Sequence, residues 1–175
     1  MSIKNRKLQV FVSSTFTDLK DERQAAVEAI LKTRNIPAGM ELFAAGDQEQ
    51  MEVIKEWIRE SDVYMLIWGG RYGSIELHAG KSYTHLEFEY ALEQKKPLFT
   101  VVMTDEALDV KIKTGGKNMV ETENGQKLNE FKALVTSKMV SFWTDTKDIK
   151  LAVHVSPMIL MVNVLIGYNV ILLEI

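Results

Sequence analysis

Val63-Tyr64-Met65-Leu66-Ile67-Trp68 is an unbroken apolar run. A strand with one wet face alternates apolar and polar side chains. A run that is apolar at both parities therefore predicts a strand covered on both sides, as in a parallel sheet between helices. Leu98–Met103 (LFTVVM), introduced by Pro97, reads the same way. Between the two runs, a glycine-rich loop over Gly69–Gly80 leads to a helix predicted at about Thr84–Lys95. Strand, loop, helix, strand is a βαβ unit.

Working upstream, Leu8–Val12 (LQVFV) predicts a strand and Ser13-Ser14-Thr15 a polar turn. A helix follows at about Thr17–Arg34, with Leu19, Ala26, Val27, Ile30 and Leu31 on one face and Thr15-x-x-Asp18 as its N-terminal cap. Pro37 and Gly39 end that unit. Met40–Phe43 is the expected second strand, and about Glu49–Ser61 a helix with Met51, Ile54, Trp57 and Ile58 as its stripe. Downstream, 104–126 mixes glycines with charges and reads as a loop insertion. Leu128–Val135 reads as a helix, Val140–Trp143 as a fifth strand and Asp145–Val155 as a last helix. The alternation predicts an α/β, flavodoxin-like three-layer sandwich around a five-stranded parallel sheet of order 2-1-3-4-5. It occupies residues 1–156, with 157–175 as an apolar tail.

Composition removes whole classes of chemistry. The 175 residues hold no cysteine and three histidines, His78, His85 and His154. Disulfide, thiolate-zinc, iron–sulfur and cysteine-nucleophile readings fall away, and no HExxH spacing supports a histidine metal centre, so no metal site is expected. Lys+Arg is 21 against Asp+Glu 24, for a net charge of −3, which offers no global footprint for nucleic acid. No GxxxxGK[ST] phosphate loop is present. The N-terminus does not read as a signal peptide, and a cytoplasmic location is expected.

In such a sheet ligands bind beyond the carboxyl ends of the strands, at the switch between the first and third. Ser13–Asp18, Trp68–Tyr72 and the start of the helix near Tyr83 meet there. On that helix Phe88, Ala91 and Leu92 set the expected buried face. Glu87 then flanks it beside Tyr83 and Tyr90, and Glu89 lies on the wet side with His85 and Glu93. Glu87 is either a carboxylate partly desolvated at a pocket edge or a solvated surface residue. Ser13, Ser14 and Thr15 suit an anion site or a simple cap and turn. Gly69, Gly70, Gly73, Arg71 and Tyr72 suit a phosphate and a ring, or merely shape the loop. Trp68 reads as core or as a stacking platform. Ser82 is placed to touch a ligand, Lys81 and His85 read as surface residues, and Asp18 and Arg23 as structural partners.

Three ordered stretches, VFVSSTFTDLKDER (Val10–Arg23), SDVYMLIWGGRYGS (Ser61–Ser74) and GKSYTHLEFEYALEQKKPLF (Gly80–Phe99), resemble a TIR-like domain family long catalogued as a domain of unknown function. The resemblance covers about residues 8–150. In TIR domains and the related nucleoside deoxyribosyltransferases, a catalytic glutamate stands four residues before a small residue on the helix after strand 3, which here is Glu87 before Ala91. The resemblance implies an effector that cleaves NAD⁺, or makes a nucleotide signal from it, in bacterial antiphage defence. NAD⁺ would be substrate, no cofactor would be required, and self-association would be expected. Glu87 would steady the ribosyl cation. Ser13, Ser14, Thr15, Gly69, Arg71 and Ser82 would contact phosphates or sugar, and Trp68, Tyr72 and Tyr83 the base. The alternatives are a non-catalytic oligomerisation module and a nucleoside hydrolase or transferase on the same fold.

The tail, PMILMVNVLIGYNVILLEI (Pro157–Ile175), carries one charge, Glu174. Burial within the fold or between subunits is preferred over a membrane anchor for 158–175, because Asn163, Gly167 and Asn169 interrupt it and no basic residue follows; an altered, non-native tail is the third alternative.

Overall fold

The computed structural model describes residues 6–39, 48–156 and 159. Five parallel strands form the main sheet in the order β2-β1-β3-β6-β7, where β1 is Gln9–Ser14, β2 Ile36–Ala38, β3 Val63–Trp68, β6 Leu98–Met103 and β7 Val140–Trp143. Counted within this sheet, that is the expected order 2-1-3-4-5. A two-stranded antiparallel hairpin, β4 (Ile75–Glu76) with β5 (Lys81–Ser82), stands apart within the glycine-rich stretch.

The helices are α1 (Lys20–Lys32), α2 (Gln48–Glu60), α3 (Tyr83–Glu93), α4 (Asp105–Gly115), α5 (Gly125–Thr136) and α6 (Thr146–Val155). All six residues of β3 are buried, because it is flanked by β1 and β6 and covered on both faces. Its odd and even side chains go to different cores. Val63, Met65 and Ile67 join Val10, Val12, Ala29, Ile30 and Trp143 on the α1–α6 side. Tyr64, Leu66 and Trp68 join Phe11, Ile54, Phe88 and Phe131 on the α2–α3–α5 side. Each buried large apolar side chain contributes about 1.5–3 kcal/mol, so the central strand anchors both layers.

Several expectations are corrected. The second strand is Ile36–Ala38, three residues paired to Gln9, Val10 and Phe11; the expected Met40–Phe43 lies outside the described residues. Pro37 is tolerated because this is an edge strand. The 104–126 stretch is not a loop. Thr104 caps α4 by accepting from the Ala107 amide, and a 3-10 turn at Gly116–Met119 follows. Helix α1 starts at Lys20 after Leu19, with no side-chain cap from Thr15 or Asp18, and its Leu31 is exposed. Ile159 is buried against the α1–α6 core; expectations for 160–175 lie outside the described residues. Among the described residues no helix is long and apolar enough to cross a membrane.

Candidate active site

The carboxyl end of β1 presents one hydroxyl to each face of the sheet. Ser13 points to the α3 side, where its Oγ donates to Glu87 Oε2. Ser14 points to the α1 side, where its Oγ accepts from Arg23 Nη1 at 3.0 Å. Strand alternation alone produces this division. All four side chains are buried, and Glu87 retains only 1% exposure.

Glu87 is thus deeper than expected. The buried sector of α3 runs through Thr84, His85, Glu87, Phe88 and Ala91, a rotation toward Glu87 relative to the predicted face. Tyr83 and Tyr90 fall on the other edge, where they line a separate groove with Glu89. They do not accompany Glu87. Its aromatic neighbour is instead Tyr64 of β3, whose hydroxyl is driven well above its ordinary pKa by burial and by the Glu87 charge. Burial pushes the Glu87 carboxyl up to about 7, with the Ser13 hydrogen bond and the Arg23 charge pulling the other way. Glu87 Oε1 has no hydrogen-bond partner among the described residues. The carboxylate is thus anchored through one oxygen only, and its second oxygen is buried without a partner.

The rim above this pair comes from the loops after β1 and β3. Thr15 packs its methyl against Gly73, whose φ of +92° suits glycine; a Cβ there would lie 2.9 Å from the Thr15 methyl. Gly69 is as confined, with a Cβ destined to fall 3.0 Å from Asp18 Oδ2 and 2.9 Å from Leu19. Asp18 is buried at 3% exposure, which raises its pKa despite the nearby Thr15, Arg71 and Lys111. Half-buried Arg71 donates to the Asn118 carbonyl at 3.2 Å. Trp68 is 7% exposed, with the Lys132 ammonium 5.4 Å from its ring. It ends β3 at the rim.

Two expected ligand contacts are committed inside the protein. The Tyr72 hydroxyl shares a 2.8 Å hydrogen bond with His85 Nδ1, and the residue is 1% exposed. Ser82 is fully buried as the α3 cap, accepting from the His85 amide at 3.2 Å. His85 is not a surface residue. It stacks on Phe131 with centroids 4.4 Å apart, and burial lowers its pKa against the pull of Glu89, 3.4 Å from its Nε2.

Sequence reasoning missed the clamp that holds the β3 loop. Glu121 Oε2 accepts from the Tyr72 amide at 2.9 Å, and the Glu121 amide donates to the Gly70 carbonyl at 2.8 Å. On the α1 side Lys111 donates to the Asp18 carbonyl at 2.6 Å and pairs with Glu22 at 2.9 Å. The only local signal was charge in the 104–126 stretch. No group of three or more potential metal ligands is gathered among the described residues.

A family described as "Domain of unknown function (DUF4062)" matches residues 9–156. Among solved structures, a CMP N-glycosidase from Clostridium botulinum is similar at 13% identity and a TM-score of 0.49, covering 83% of this chain and 97% of that one. A diflavin flavoprotein A3 from Nostoc sp. is similar at 15% identity and a TM-score of 0.43, covering 85% of this chain and 88% of that one. No curated protein matches the sequence.

Proposed function

This chain belongs to the DUF4062 family, and we propose that it cleaves the N-glycosidic bond of a nucleotide, with NAD⁺ as substrate and Glu87 as the catalytic carboxylate. One observation carries the reading: Glu87 lies at the switch between β1 and β3, held through Oε2 by Ser13, with Oε1 unpartnered and a pKa of about 7.

The chemistry asks for little beyond that. When the bond between ribose C1′ and the pyridinium nitrogen breaks, its electron pair leaves with neutral nicotinamide, so no acid is needed to protonate the leaving group. Positive charge appears on the ribose as an oxocarbenium ion, and an ionised carboxylate in a low-dielectric setting stabilises it. Water adds at C1′ and releases a proton, giving ADP-ribose. Ser13 fixes the carboxylate in place. Arg71, which would have to release the Asn118 carbonyl, would take phosphate oxygens, and Trp68, which ends β3, would face the base. Tyr72 and Ser82 are left out of this role by their internal bonds. Because Glu87 is 1% exposed, substrate entry requires a local opening that leaves Ser13 and Glu87 bonded.

Enclosure of Glu87 and the inward commitment of Tyr72 and Ser82 also favour a second reading, a non-catalytic interaction module in which the polar network only braces the fold. Purified protein incubated with NAD⁺, a nucleoside monophosphate and a nucleoside, followed by chromatography of the free base, separates the two. Base release that Glu87→Ala abolishes supports the enzyme, and the preferred compound names the substrate. No release from any of the three, at low or high protein concentration, leaves the interaction module.

A further inference from the structure

On the far flank of α3 from Glu87, a groove of about 350 Å³ runs between α2 and α3 and beneath the β4–β5 hairpin. That volume is at the small end for ligand sites, which span about 300–1,000 Å³. Tyr83, Leu86 and Tyr90, spaced three and four apart on one face of α3, line it together with Met51 of α2. Four carboxylates line it too: Glu52, Glu76, Glu89 and Glu93.

These carboxylates are not equally engaged. Glu52 pairs with Lys55 at 3.0 Å and Glu89 with Lys81 at 2.6 Å. Glu76 accepts from the Ala79 and His78 amides at 2.6 and 3.2 Å, which hold its carboxyl below the usual range and keep it charged. Glu93, exposed and one turn beyond Glu89, adds a further negative charge. Lys55 is the one lysine among the lining residues. Its ammonium sits 5.7 Å from the centre of the Tyr90 ring, so this wall already holds a cation against an aromatic face. Tyr83 offers a second aromatic ring two turns earlier on α3.

The chemistry selects a cation with an apolar stem. Phosphates and nucleic acids are repelled by the carboxylate rim. Leu77, 90% exposed at the hairpin tip between the lining residues Glu76 and His78, stands beside the groove. A peptide carrying the cation can add an apolar contact there that a free small cation cannot.

We propose that the groove between α2 and α3 docks a basic peptide segment of a partner protein, with an arginine or lysine against Tyr83 between Glu76 and Glu93 and an apolar side chain against Leu77. The site is separate from Glu87, and its occupation does not depend on nucleotide cleavage.

The test is selection of random displayed peptides on the full chain, counter-selected on Glu93→Lys. The best peptide is then measured by fluorescence anisotropy beside a twin whose basic residues are glutamate. The expected result is enrichment of sequences pairing a basic residue with a nearby apolar one. Binding should weaken about tenfold in Glu93→Lys and in Leu77→Ser, and should fall in about 0.5 M salt as charges are screened. Both substitutions are at exposed positions, so the fold survives them. Five outcomes each overturn the proposal: no enrichment, enrichment without basic residues, equal binding of the acidic twin, unchanged affinity in both variants, or arginine amide competing as well as the peptide. Sedimentation showing that the chain associates with itself through this groove would also overturn it, by making a second copy the occupant.

Discussion

Ser13 donates its hydroxyl to Glu87 across 74 residues of sequence, tying the end of the first strand to the middle of α3. Ser14, its neighbour, accepts from Arg23 on the opposite face. The end of β1 therefore holds a carboxylate on one side and a guanidinium on the other, and the carboxylate depends on a single neutral donor.

Removing that donor gives the first prediction. In Ser13→Ala the Glu87 carboxylate loses its one hydrogen bond among the described residues and moves above its pKa of about 7, because the Ser13 bond lowers it. Stability at pH 8 falls by about 1–3 kcal/mol, the cost of a buried acceptor left unsatisfied. Chemical denaturation measures the loss, and a carbon-13 titration of the Glu87 carboxyl measures the shift.

Proton linkage gives the second. Glu87 binds its proton up to about pH 7 when folded and up to about 4.5 when unfolded. Within that window the folded state holds more protons, so stability decreases as pH rises, and the contribution present below 4.5 is gone above 7. Its ceiling is about 3 kcal/mol. Glu87→Gln, which keeps an acceptor for Ser13 and never ionises, raises stability at pH 8 and changes it little at pH 4. Denaturation across pH 4–8 shows a flatter curve for the variant over this window. A curve as steep as that of the parent contradicts the assigned pKa.

The clamp on the β3 loop supplies the third. Glu121 receives the amides of Tyr72, Glu123 and Asn124 at 2.9–3.0 Å. Burial works to raise its carboxyl, yet these amides together lower it, so the bonds persist until the pH falls below the ordinary carboxylate range. In Glu121→Ala the Tyr72 amide exchanges with solvent about tenfold faster, the equivalent of one lost hydrogen bond. Amides of β3 itself keep their protection. Hydrogen-exchange mass spectrometry resolves the two.

What the sequence made visible follows from how local each signal was. Val63–Trp68 and Leu98–Met103 declared themselves because both their faces are buried, and the strand order followed from the alternation of elements. Glu87 was singled out through the family resemblance, from its place before Ala91, but its depth was not visible. The buried face of α3 is set by Phe131, Tyr64 and Ser13, all distant in sequence, and they turn Glu87 inward and Tyr83 outward. His85 read as a surface residue for the same reason, since its stacking partner Phe131 comes from α5. Helix α4 escaped notice because Ala107 is its one buried residue, which leaves almost no apolar stripe to detect. Strand β2 was missed because three residues containing Pro37 make no periodic pattern.

In the proposed reaction the ionised Glu87 side chain drives nicotinamide loss. The direct measurement is the rate of nicotinamide release from NAD⁺ between pH 5 and pH 9, for the parent chain and for Glu87→Gln. The prediction is a rate that climbs with pH through a midpoint near 7, as the carboxyl loses its proton, and a variant at least about a hundredfold slower at every pH. A parent that releases no nicotinamide, or a glutamine variant that matches it, would contradict the account.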